Sequence, residues 1–413
     1  MSWIKVKLAD VTEYITDGDH QPAPKSETGI FFVKIKDIQN NKVVFDNALF
    51  VPQQYYDRLP QNRKAVNGDT LYTVVGSYGI PAFVNHDIPF CFERNIALLH
   101  PNGRVVPQYL YYAVKNPAFY EYANNIANGS AQKLIPLSKL ASMEIVVPPL
   151  EIQKKIVVLL SAYDDLIENN QQQIKLLEEA AQRLYKEWFI DLRFPGHEST
   201  PIVDGVPEGW SRKTVEECLS FHGNGGWGKE TSMGKNEHPG KVIRGTDIED
   251  VKAGRFNDIP LRYHTDNDIK KRTLKIHDLV FELSNGNINN IGRCLLIDDL
   301  VLKNCGENTI CASFCKLLRP VNRLHSLILY WEIQDMQASG RMLPLKKHGA
   351  NGINNFDFDG FLNHELLIPD NACMLKPIEA IMAKISIIQG QFALLAEARD
   401  RLLPKLMSGE IEG

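Results

Sequence analysis

Two long helical patterns dominate the distribution of apolar and polar positions along the chain. Over residues 148–193 and again over residues 370–413, apolar side chains recur at alternating spacings of three and four. Such spacing predicts α-helices with an apolar seam of the coiled-coil type. Because one chain carries two such seams, we expect the helices to pair; the alternative is that each packs on its own globular region. The predicted seam positions are Ile156, Leu159, Tyr163, Leu166, Leu177, Leu184, Ile378, Met382, Ile385, Phe392, Leu395 and Leu402.

The segment between the first helix and the second half of the chain, residues 194–209, is a predicted linker. It contains three prolines and three glycines and shows little periodicity, a composition that interrupts helices and strands. If the linker returns the chain, the two helices lie antiparallel. Asn170 and Gln389 lie in the middle of the helices, where a coiled coil can use a buried amide to fix its register.

Each long helix follows a region of short β-branched and aromatic runs that alternate with Gly, Asn and Pro turns. The two regions carry similar motifs in the same order: Trp3 and Trp210 each open a strand-like run, and Glu144-Ile-Val-Val-Pro and Glu365-Leu-Leu-Ile-Pro each precede a helix. We therefore predict an α+β protein with two similar mixed α/β domains, residues 1–147 and 210–369, separated by two long helices that form an antiparallel coiled coil.

Composition narrows the class of protein. The 413 residues are 44% hydrophobic and 23% charged with a formal net charge of −4, which is typical of a globular chain and excludes a uniformly basic protein. No apolar run approaches the ~20 residues of a membrane span, and the N-terminus lacks the layout of a signal peptide. We therefore expect a cytoplasmic protein with no membrane partner. The seven cysteines form no Cys-x-x-Cys pair, which indicates reduced, mostly buried thiols.

The strongest candidate for an enzymatic site is the glycine-rich segment Gly223–Glu230. It has the spacing of a phosphate-binding loop that ends at Lys229, but Glu230 stands where Ser or Thr would bind magnesium, and its carboxylate would repel phosphates. Elsewhere, Cys305, Cys311 and Cys315 lack the spacing of a compact zinc site. We therefore expect neither a catalytic nor a metal site. A nucleotide-binding enzyme that uses the Gly223 loop remains an alternative.

Polar, glycine-containing loops at corresponding places in both halves are better candidates for binding. The segment 75–80 corresponds to 284–293, and 128–133 corresponds to 346–352. Their amides, hydroxyls and cations are the groups that read base edges and contact phosphates in DNA. Ordinary surface loops have a similar composition, so a coiled-coil scaffolding protein that carries two ligand-binding modules is a second alternative.

At the level of motifs, essentially the whole chain resembles the specificity (S) subunit of type I restriction-modification systems. Ile145-Val-Val-Pro-Pro-Leu-Glu-Ile-Gln-Lys-Lys-Ile156 is similar to the start of the family's central helix, and Arg401-Leu-Leu-Pro-Lys-Leu-Met-Ser-Gly-Glu-Ile411 to its C-terminal signature. Gly76-Ser-Tyr-Gly79 and Arg94-Asn95 match patterns of the first recognition domain. The start of the second helix departs from the family pattern, because Ile368-Pro-Asp-Asn lacks the Pro-Pro-Leu and the Gln that follows it.

The resemblance implies a non-catalytic reader of double-stranded DNA. Each target-recognition domain would bind one half of a bipartite asymmetric site, while the paired helices set the spacer and dock two methyltransferase (M) subunits for adenine-N6 methylation. S-adenosylmethionine, ATP and Mg would bind to partner subunits, which include restriction (R) subunits in systems that cleave DNA, and this chain would bind no cofactor. The DNA-contacting residues that the resemblance implies are His20, Gln21, Ser77, Tyr78, Arg94, Lys133, Trp227, Lys229, Asn287, Arg293, Lys347 and Asn351.

Overall fold

The computed structural model describes residues 3–46, 48–127, 133–349 and 352–411. The chain forms two compact units. Unit 1 comprises Met1–Asp165 together with Ala396–Gly413, and unit 2 comprises Leu166–Leu395. Each unit therefore combines one β-rich region with parts of both long helices. Unit 1 contains the start of the first long helix and the end of the second, and unit 2 contains the remaining part of each.

The first half of the chain runs from an N-terminal strand to a long helix, which a π-helical turn at Lys186–Ile190 ends. Its strands are β1 (Ile4–Lys7), β2 (Thr12–Asp17), β3 (Ile30–Val33), β4 (Ile38–Gln39), β5 (Lys42–Val43), β6 (Leu49–Val51), β7 (Thr70–Thr73), β8 (Pro81–Phe83), β9 (Phe90–Phe92), β10 (Ile96–Pro101) and β11 (Glu144–Val147). Its helices are α1 (Leu8–Val11), α2 (Gln53–Arg58), α3 (Pro107–Lys115), α4 (Pro117–Ile126), α5 (Leu137–Ser142) and α6 (Leu150–Tyr185).

The second half begins with a short hairpin and ends with the second long helix. Its strands are β12 (Ile202–Val203), β13 (Val206–Pro207), β14 (Trp210–Thr214), β15 (Leu219–Asn224), β16 (His238–Ile243), β17 (Leu261–His264), β18 (Leu279–Glu282), β19 (Ser284–Asn285), β20 (Cys294–Leu296), β21 (Ile310–Cys311), β22 (Cys315–Pro320), β23 (Lys346–Lys347), β24 (Asn354–Phe356) and β25 (Glu365–Pro369). Its helices are α7 (Ile248–Lys252), α8 (Asp266–Arg272), α9 (Asp299–Cys305), α10 (Arg323–Ser339), α11 (Phe358–Leu362) and α12 (Lys376–Ser408).

The two β-rich regions share one sheet topology. A four-stranded sheet has the order β2-β10-β7-β8 in the first region and β15-β22-β18-β20 in the second. A three-stranded sheet, β6-β3-β9 or β17-β16-β21, pairs its central strand antiparallel on one side and parallel on the other. The first and last strands of each region also pair, as β1 with β11 and β14 with β25. The internal repeat predicted from the order of the motifs is therefore present in the fold.

Buried aspartates hold equivalent turns in the two regions. Each accepts a hydrogen bond from the backbone N–H three residues earlier, which satisfies a donor that would otherwise be buried without a partner. The four bonds run from Lys34 to Asp37 at 2.9 Å, from Arg244 to Asp247 at 2.8 Å, from Val66 to Asp69 at 2.8 Å and from Lys275 to Asp278 at 2.7 Å. The repeat therefore preserves the polar contacts of its turns as well as the order of its strands.

The long helices pack on each other within each unit. In unit 1 the beginning of α6 shares a core with the end of α12, through Ile156 and Leu160 against Leu403 and Leu406. In unit 2 the later part of α6 meets the beginning of α12 in a cluster that contains Ile174, Ile385 and Ile388. The first part of one helix thus lies beside the last part of the other, so the pair is antiparallel, as predicted.

The buried face of α6 differs from the predicted seam at two positions. Leu159 is 36% exposed and Leu166 is 50% exposed, whereas their neighbours Leu160 and Ile167 are buried. At Leu160 the physical reason is that the start of α6 packs on the β-rich core of unit 1 as well as on α12, so this core, rather than a heptad repeat alone, selects the buried face there.

The other predicted seam positions lie on or beside the packed faces. Ile156, Ile378, Ile385 and Phe392 are buried. The remaining six are partly buried: Tyr163, Leu177, Leu184, Met382, Leu395 and Leu402.

Polar side chains anchor the helices at defined places. In unit 1, Asp164 on α6 pairs with Arg399 on α12 at 2.8 Å and accepts a hydrogen bond from the Tyr112 hydroxyl at 2.8 Å. Lys115 lies 3.6 Å from the same carboxylate. Burial lowers the pKa of Lys115 to about 8, although the negative charge of Asp164 acts to raise it. In unit 2 the amide of Gln389 donates to the carbonyl of Lys252, so it binds α7 rather than the other long helix.

The second long helix is apolar for its length. By length and composition alone, Ala372–Ser408 could cross a membrane, with a mean hydropathy of 1.4 over an 18-residue window of which 22% is buried. The core helix of a soluble protein meets the same criteria, and part of the apolar face of α12 packs in the two units. Much of the remaining apolar surface is exposed.

A buried glutamine explains the Pro-Pro-Leu-Glu-Ile-Gln motif at the start of α6. The Gln153 side chain accepts a hydrogen bond from the Val106 backbone N–H at 2.8 Å and donates one to the Pro148 carbonyl at 2.8 Å. It thereby satisfies two backbone groups and ties the start of α6 to the start of α3.

We predict that Gln153→Leu lowers the free energy of unfolding by about 2 kcal/mol or more, because it leaves a buried N–H and a buried carbonyl without partners. Urea unfolding of the full chain measures this change. Gln172→Leu, on the exposed face of the same helix, is the matched control and should change stability little; equal effects of the two substitutions would contradict the assigned role of Gln153.

Candidate nucleic-acid interface

In unit 1 the predicted polar loop 75–80 lies against Lys133, the last residue of the predicted loop 128–133; residues 128–132 of that loop lie outside the described part of the chain. Val75 forms a β-bridge with Leu134, and the Gly76 N–H donates to the Lys133 carbonyl at 3.0 Å. The Ile135 N–H donates to the Val74 carbonyl at 2.9 Å. The glycine-containing loop after β7 is therefore held against Lys133, and the predicted residues Ser77, Tyr78 and Lys133 lie on one exposed surface.

A cluster of four side chains forms the centre of this surface. The Tyr78 hydroxyl and the Lys133 ammonium both donate to the side-chain oxygen of Asn124, the latter at 3.0 Å. The Tyr78 ring is nearly parallel to that of Tyr120, with centroids 6.2 Å apart, and the Lys133 ammonium lies 5.9 Å from the centre of the Tyr78 ring. We call Tyr78, Tyr120, Asn124 and Lys133 the Asn124 cluster.

Two members of the Asn124 cluster, Tyr120 and Asn124, were not predicted from the sequence. Tyr120 and Asn124 lie one turn apart on α4, a helix that begins with Asn116 as its N-cap and Pro117 as its first residue. Their signal in the sequence is an aromatic side chain and an amide on one helix face, which many helices carry. The packing also explains Gly79: its φ is +87°, and a Cβ atom there would lie 2.5 Å from the Tyr120 ring.

The other predicted residues of unit 1 surround an acidic group. His20 lies 2.9 Å from the Asp17 carboxylate, while Asp19 accepts hydrogen bonds from the Tyr55 hydroxyl at 3.0 Å and from Arg63 at 3.2 Å. Burial and the hydrogen bond to Asp19 raise the pKa of Tyr55. Asp19 also bridges to Glu93, the residue before Arg94. Gln21 and Arg94 are both exposed. Like the Asn124 cluster, they belong to unit 1.

In unit 2 the segments that correspond to the predicted loops of unit 1 contribute strands to an additional sheet. The strands β19, β24 and β23 join segments near residues 285, 355 and 347, and among the described residues of unit 1 no sheet corresponds to it. The sheet borders a cleft of about 590 Å³. Trp227 and Phe314 are exposed beside the cleft, and Glu282 is buried in its wall. Three loops that are distant in the sequence therefore meet at one concave surface.

Arg293 supports this cleft from within. Its guanidinium donates to the Glu282 carboxylate at 2.8 Å and to the Gly245 carbonyl at 2.9 Å. Glu282 is 1% exposed and accepts a further hydrogen bond from the Asn285 amide at 2.7 Å. Because both partners are withdrawn from solvent, the structure gives Arg293 a structural role, whereas the sequence suggested a direct contact with DNA.

The remaining predicted residues of unit 2 have mixed surroundings. The Trp227 ring stacks against the Arg262 guanidinium at 4.8 Å, and Lys347 pairs with Asp357 at 2.8 Å. The side chain of Asn287 accepts the Asn289 N–H and so caps a short helical turn. Lys229 forms a backbone bridge with Tyr263. Asn351 lies outside the described residues.

The glycine-rich segment of unit 2 does not form a phosphate cradle. In a phosphate-binding loop the backbone N–H groups point at the ligand and a helix follows. Here the N–H groups of Gly225, Gly226 and Lys229 donate to the carbonyls of Cys315, Cys311 and Tyr263, and Lys229 enters a bridge instead of a helix. The alternative of a nucleotide-binding enzyme that uses this loop therefore lacks its structural basis.

Other reactive groups are either dispersed or buried. In the part of the chain that the structure describes, no group of three or more His, Cys, Asp or Glu side chains is placed to hold a metal ion. Six of the seven cysteines are buried and Cys373 is exposed. Burial raises the pKa of the Cys311 and Cys294 thiols to about 12, so these cysteines are packing residues rather than nucleophiles.

Residues 2–179 match the family model described as the type I restriction modification DNA specificity domain. The specificity subunit of the type I restriction enzyme MjaIX from Methanocaldococcus jannaschii is 27% identical over 337 residues, which cover 78% of this chain and 73% of that protein. The HindI specificity subunit from Haemophilus influenzae is 27% identical over 211 residues, which cover 49% of this chain and 44% of that protein.

Among solved structures, the S subunit of a type I restriction-modification system from M. genitalium is similar. It aligns with 98% of this chain and 96% of its own with a TM-score of 0.54, at 15% sequence identity. At this identity the likeness establishes the fold. The predicted α+β fold with two β-rich domains and two long helices is confirmed.

For Arg293→Ala we expect a loss of about 3 kcal/mol in the stability of unit 2, because the substitution leaves the Glu282 carboxylate buried without a cationic partner. Thermal unfolding of the full chain measures it. Lys347→Ala removes the same charge from an exposed ion pair and should leave stability nearly unchanged. If Arg293→Ala were as stable as the control and lost only ligand binding, Arg293 would be a contact residue after all.

Proposed function

We propose that the chain is a specificity subunit of a type I restriction-modification system and that each unit reads one half of a bipartite, asymmetric site in double-stranded DNA. The family is non-catalytic. The observation that carries the proposal is the duplication: two regions of one topology present different side chains on corresponding surfaces. Two such readers in one polypeptide suit a site whose halves differ.

The chemistry of the two surfaces supports base reading. The Asn124 cluster of unit 1 offers an amide and an ammonium beside aromatic rings. The cleft of unit 2 offers serine and threonine hydroxyls and one asparagine amide, that of Asn285, beside Trp227 and Phe314. Hydrogen bonds to base edges and apolar contacts with thymine methyl groups are the means by which proteins distinguish base pairs. We propose that the loop residues predicted from the sequence, apart from Arg293, contribute to these contacts.

The paired helices supply the second part of the proposed function. They connect the two units, so their length sets the spacer between the half-sites, and their exposed faces dock two methyltransferase subunits. Apolar side chains that are at least 50% exposed support a docking role, because exposed apolar patches mark interaction surfaces. These side chains are Val158, Leu166 and Leu176 on α6 and Ile387 and Leu394 on α12.

The repeat explains why two identical partners could bind one asymmetric chain. Each long helix follows one copy of the repeat, so each partner would meet a similar combination of helix and β-rich region. We propose that the methyltransferase subunits bring S-adenosylmethionine for adenine-N6 methylation and that restriction subunits, in a cleaving complex, bring ATP and Mg. The complex would act in the cytoplasm, where its DNA is.

A scaffolding protein with two ligand-binding modules is the other function that the fold allows. The two functions differ in their dependence on salt. Proteins that neutralise DNA phosphates release counterions, so their affinity for DNA falls steeply as salt increases. DNA affinity of the assembled complex that falls with salt favours the DNA reader, and absence of such affinity favours the scaffold.

We predict that co-expression of the chain with the methyltransferase subunits of its own system yields a complex that methylates adenines within one bipartite motif. Methylation-sensitive sequencing of the host genome would show the motif as two short specified blocks separated by unspecified bases. Cells that express the methyltransferase subunits alone are the control. Methylation without a bipartite motif, or the same motif without this chain, would show that the proposed function is wrong.

Lengthening both helices should change the spacer and leave the specified bases unchanged. Insertion of seven residues between Asp165 and Leu166, and of seven between Leu395 and Ala396, adds about 10 Å to each helix, which corresponds to about three base pairs of B-DNA. A heptad keeps the packed faces in phase. The same seven residues inserted between Asp204 and Gly205, in the β12–β13 turn, are the control. A change in the specified bases at an unchanged spacer would contradict the role of the helices.

A further inference from the structure

The Asn124 cluster holds its amide in one orientation. The Lys133 ammonium lies 3.0 Å from the side-chain oxygen of Asn124, and an ammonium has hydrogens to donate but no lone pair to accept with. The amide atom that faces Lys133 must therefore be the oxygen, which removes the usual ambiguity between the oxygen and nitrogen of an asparagine side chain. The Tyr78 hydroxyl donates to the same oxygen.

This orientation leaves the side chains of Asn124 and Lys133 with donors only. Both lone pairs of the Asn124 oxygen are engaged by Tyr78 and Lys133. Among the residues that the structure describes, none accepts a hydrogen bond from the Asn124 amide nitrogen, so no described residue competes with a ligand for its two N–H groups. Lys133 directs two of its three N–H bonds to Asn124 and to the Tyr78 hydroxyl at 3.5 Å, which leaves one N–H available. Asn124 and Lys133 are both exposed.

The aromatic side chains keep these donors in place. Tyr120 stacks on Tyr78, and the Lys133 ammonium is near the face of the Tyr78 ring. The Lys133 carbonyl also accepts the Gly76 N–H, so both the backbone and the side chain of Lys133 are held. A cation that contacts only a phosphate does not require this degree of positioning, because a phosphate can be bound through its charge from many directions.

We infer that the Asn124 cluster reads a guanine in the half-site of unit 1. In the major groove, guanine presents two adjacent acceptors, N7 and O6, whereas adenine presents one acceptor and one donor. Adenine would need a free acceptor oxygen beside the donor, and the Asn124 oxygen is already occupied by two donors. An amide N–H and an ammonium N–H side by side match the edge of guanine. The inference rests on the proposed function, since it names the base that unit 1 would recognise.

Two substitutions and two matched controls test the inference in the complex with the methyltransferase subunits. Asn124→Asp replaces the amide donors with acceptors, and Asn125→Asp makes the same change at the next exposed residue of α4. Lys133→Gln removes the ammonium, and Lys139→Gln does so at an exposed position of α5. The measurements are the methylated motif in the host genome, the relative methylation rates of sites that differ at one base pair, and the thermal unfolding of each variant.

We expect the wild-type motif to contain a guanine in one half-site and both cluster variants to lose discrimination at that one position. The preference for guanine over adenine there should fall roughly 5- to 150-fold, the range for a pair of hydrogen bonds to one base. The other half-site should be unchanged, and the controls should retain the wild-type motif and melting temperature.

Other outcomes overturn the inference in distinguishable ways. If the variants slow methylation equally at all sites and weaken the salt dependence of DNA binding, the cluster contacts phosphate and reads no base. An unchanged motif at an unchanged rate would show that the cluster does not touch DNA. If the wild-type complex methylates a bipartite motif in which the position affected by the variants is not guanine, the proposed function stands and only the inference fails. If the wild type has no bipartite motif, both fail.

Discussion

Neither β-rich region closes its hydrophobic core with its own half of the chain alone, and this constraint governs the rest of the structure. The core of unit 1 contains Leu403, Leu406 and Met407 from the end of the chain. The core of unit 2 contains Ala181 and Tyr185 from the helix that leaves the first region. Each helix therefore stabilises both copies of the repeat. Its apolar face is buried in each unit, and burial of apolar surface is the main favourable contribution to the free energy of folding.

The two copies of the repeat share their backbone geometry but differ in the chemistry of their exposed loops. The buried aspartates of the turns and the order of the strands are the same in both regions, since any change there would leave backbone groups without partners. The exposed loops are free of that requirement. Unit 1 develops a donor-rich group around Asn124, while unit 2 develops an extra sheet and a cleft beside Trp227. The formal net charge of −4 averages over these surfaces and says little about either.

The residues of the candidate site show how far sequence reasoning can reach. Tyr78 and Lys133 were predicted to contact DNA because they lie in glycine-containing polar loops, and the structure places them together. Tyr120 and Asn124 were missed because they lie on a helix, where their exposure depends on how α4 packs. Arg293 was chosen because it is a cation in a polar loop, yet it is held by a carboxylate 11 positions earlier in the chain. Whether a charged side chain meets solvent or a buried partner is decided by burial, which the local sequence does not specify.

The sequence by itself determined the elements and their order: two strand-rich regions with one set of motifs, each followed by a long helix with a periodic apolar face. These features are local, because helix periodicity, turn residues and strand alternation depend on side chains that are near each other in the chain. Only the tertiary structure decided which face of α6 is buried: Leu160 is buried instead of Leu159 where the helix meets a β-rich core as well as α12, and Ile167 is buried instead of Leu166. It likewise decided which amide and ammonium stand side by side in unit 1, because that juxtaposition joins α4 to a loop through contacts made only when the chain is folded.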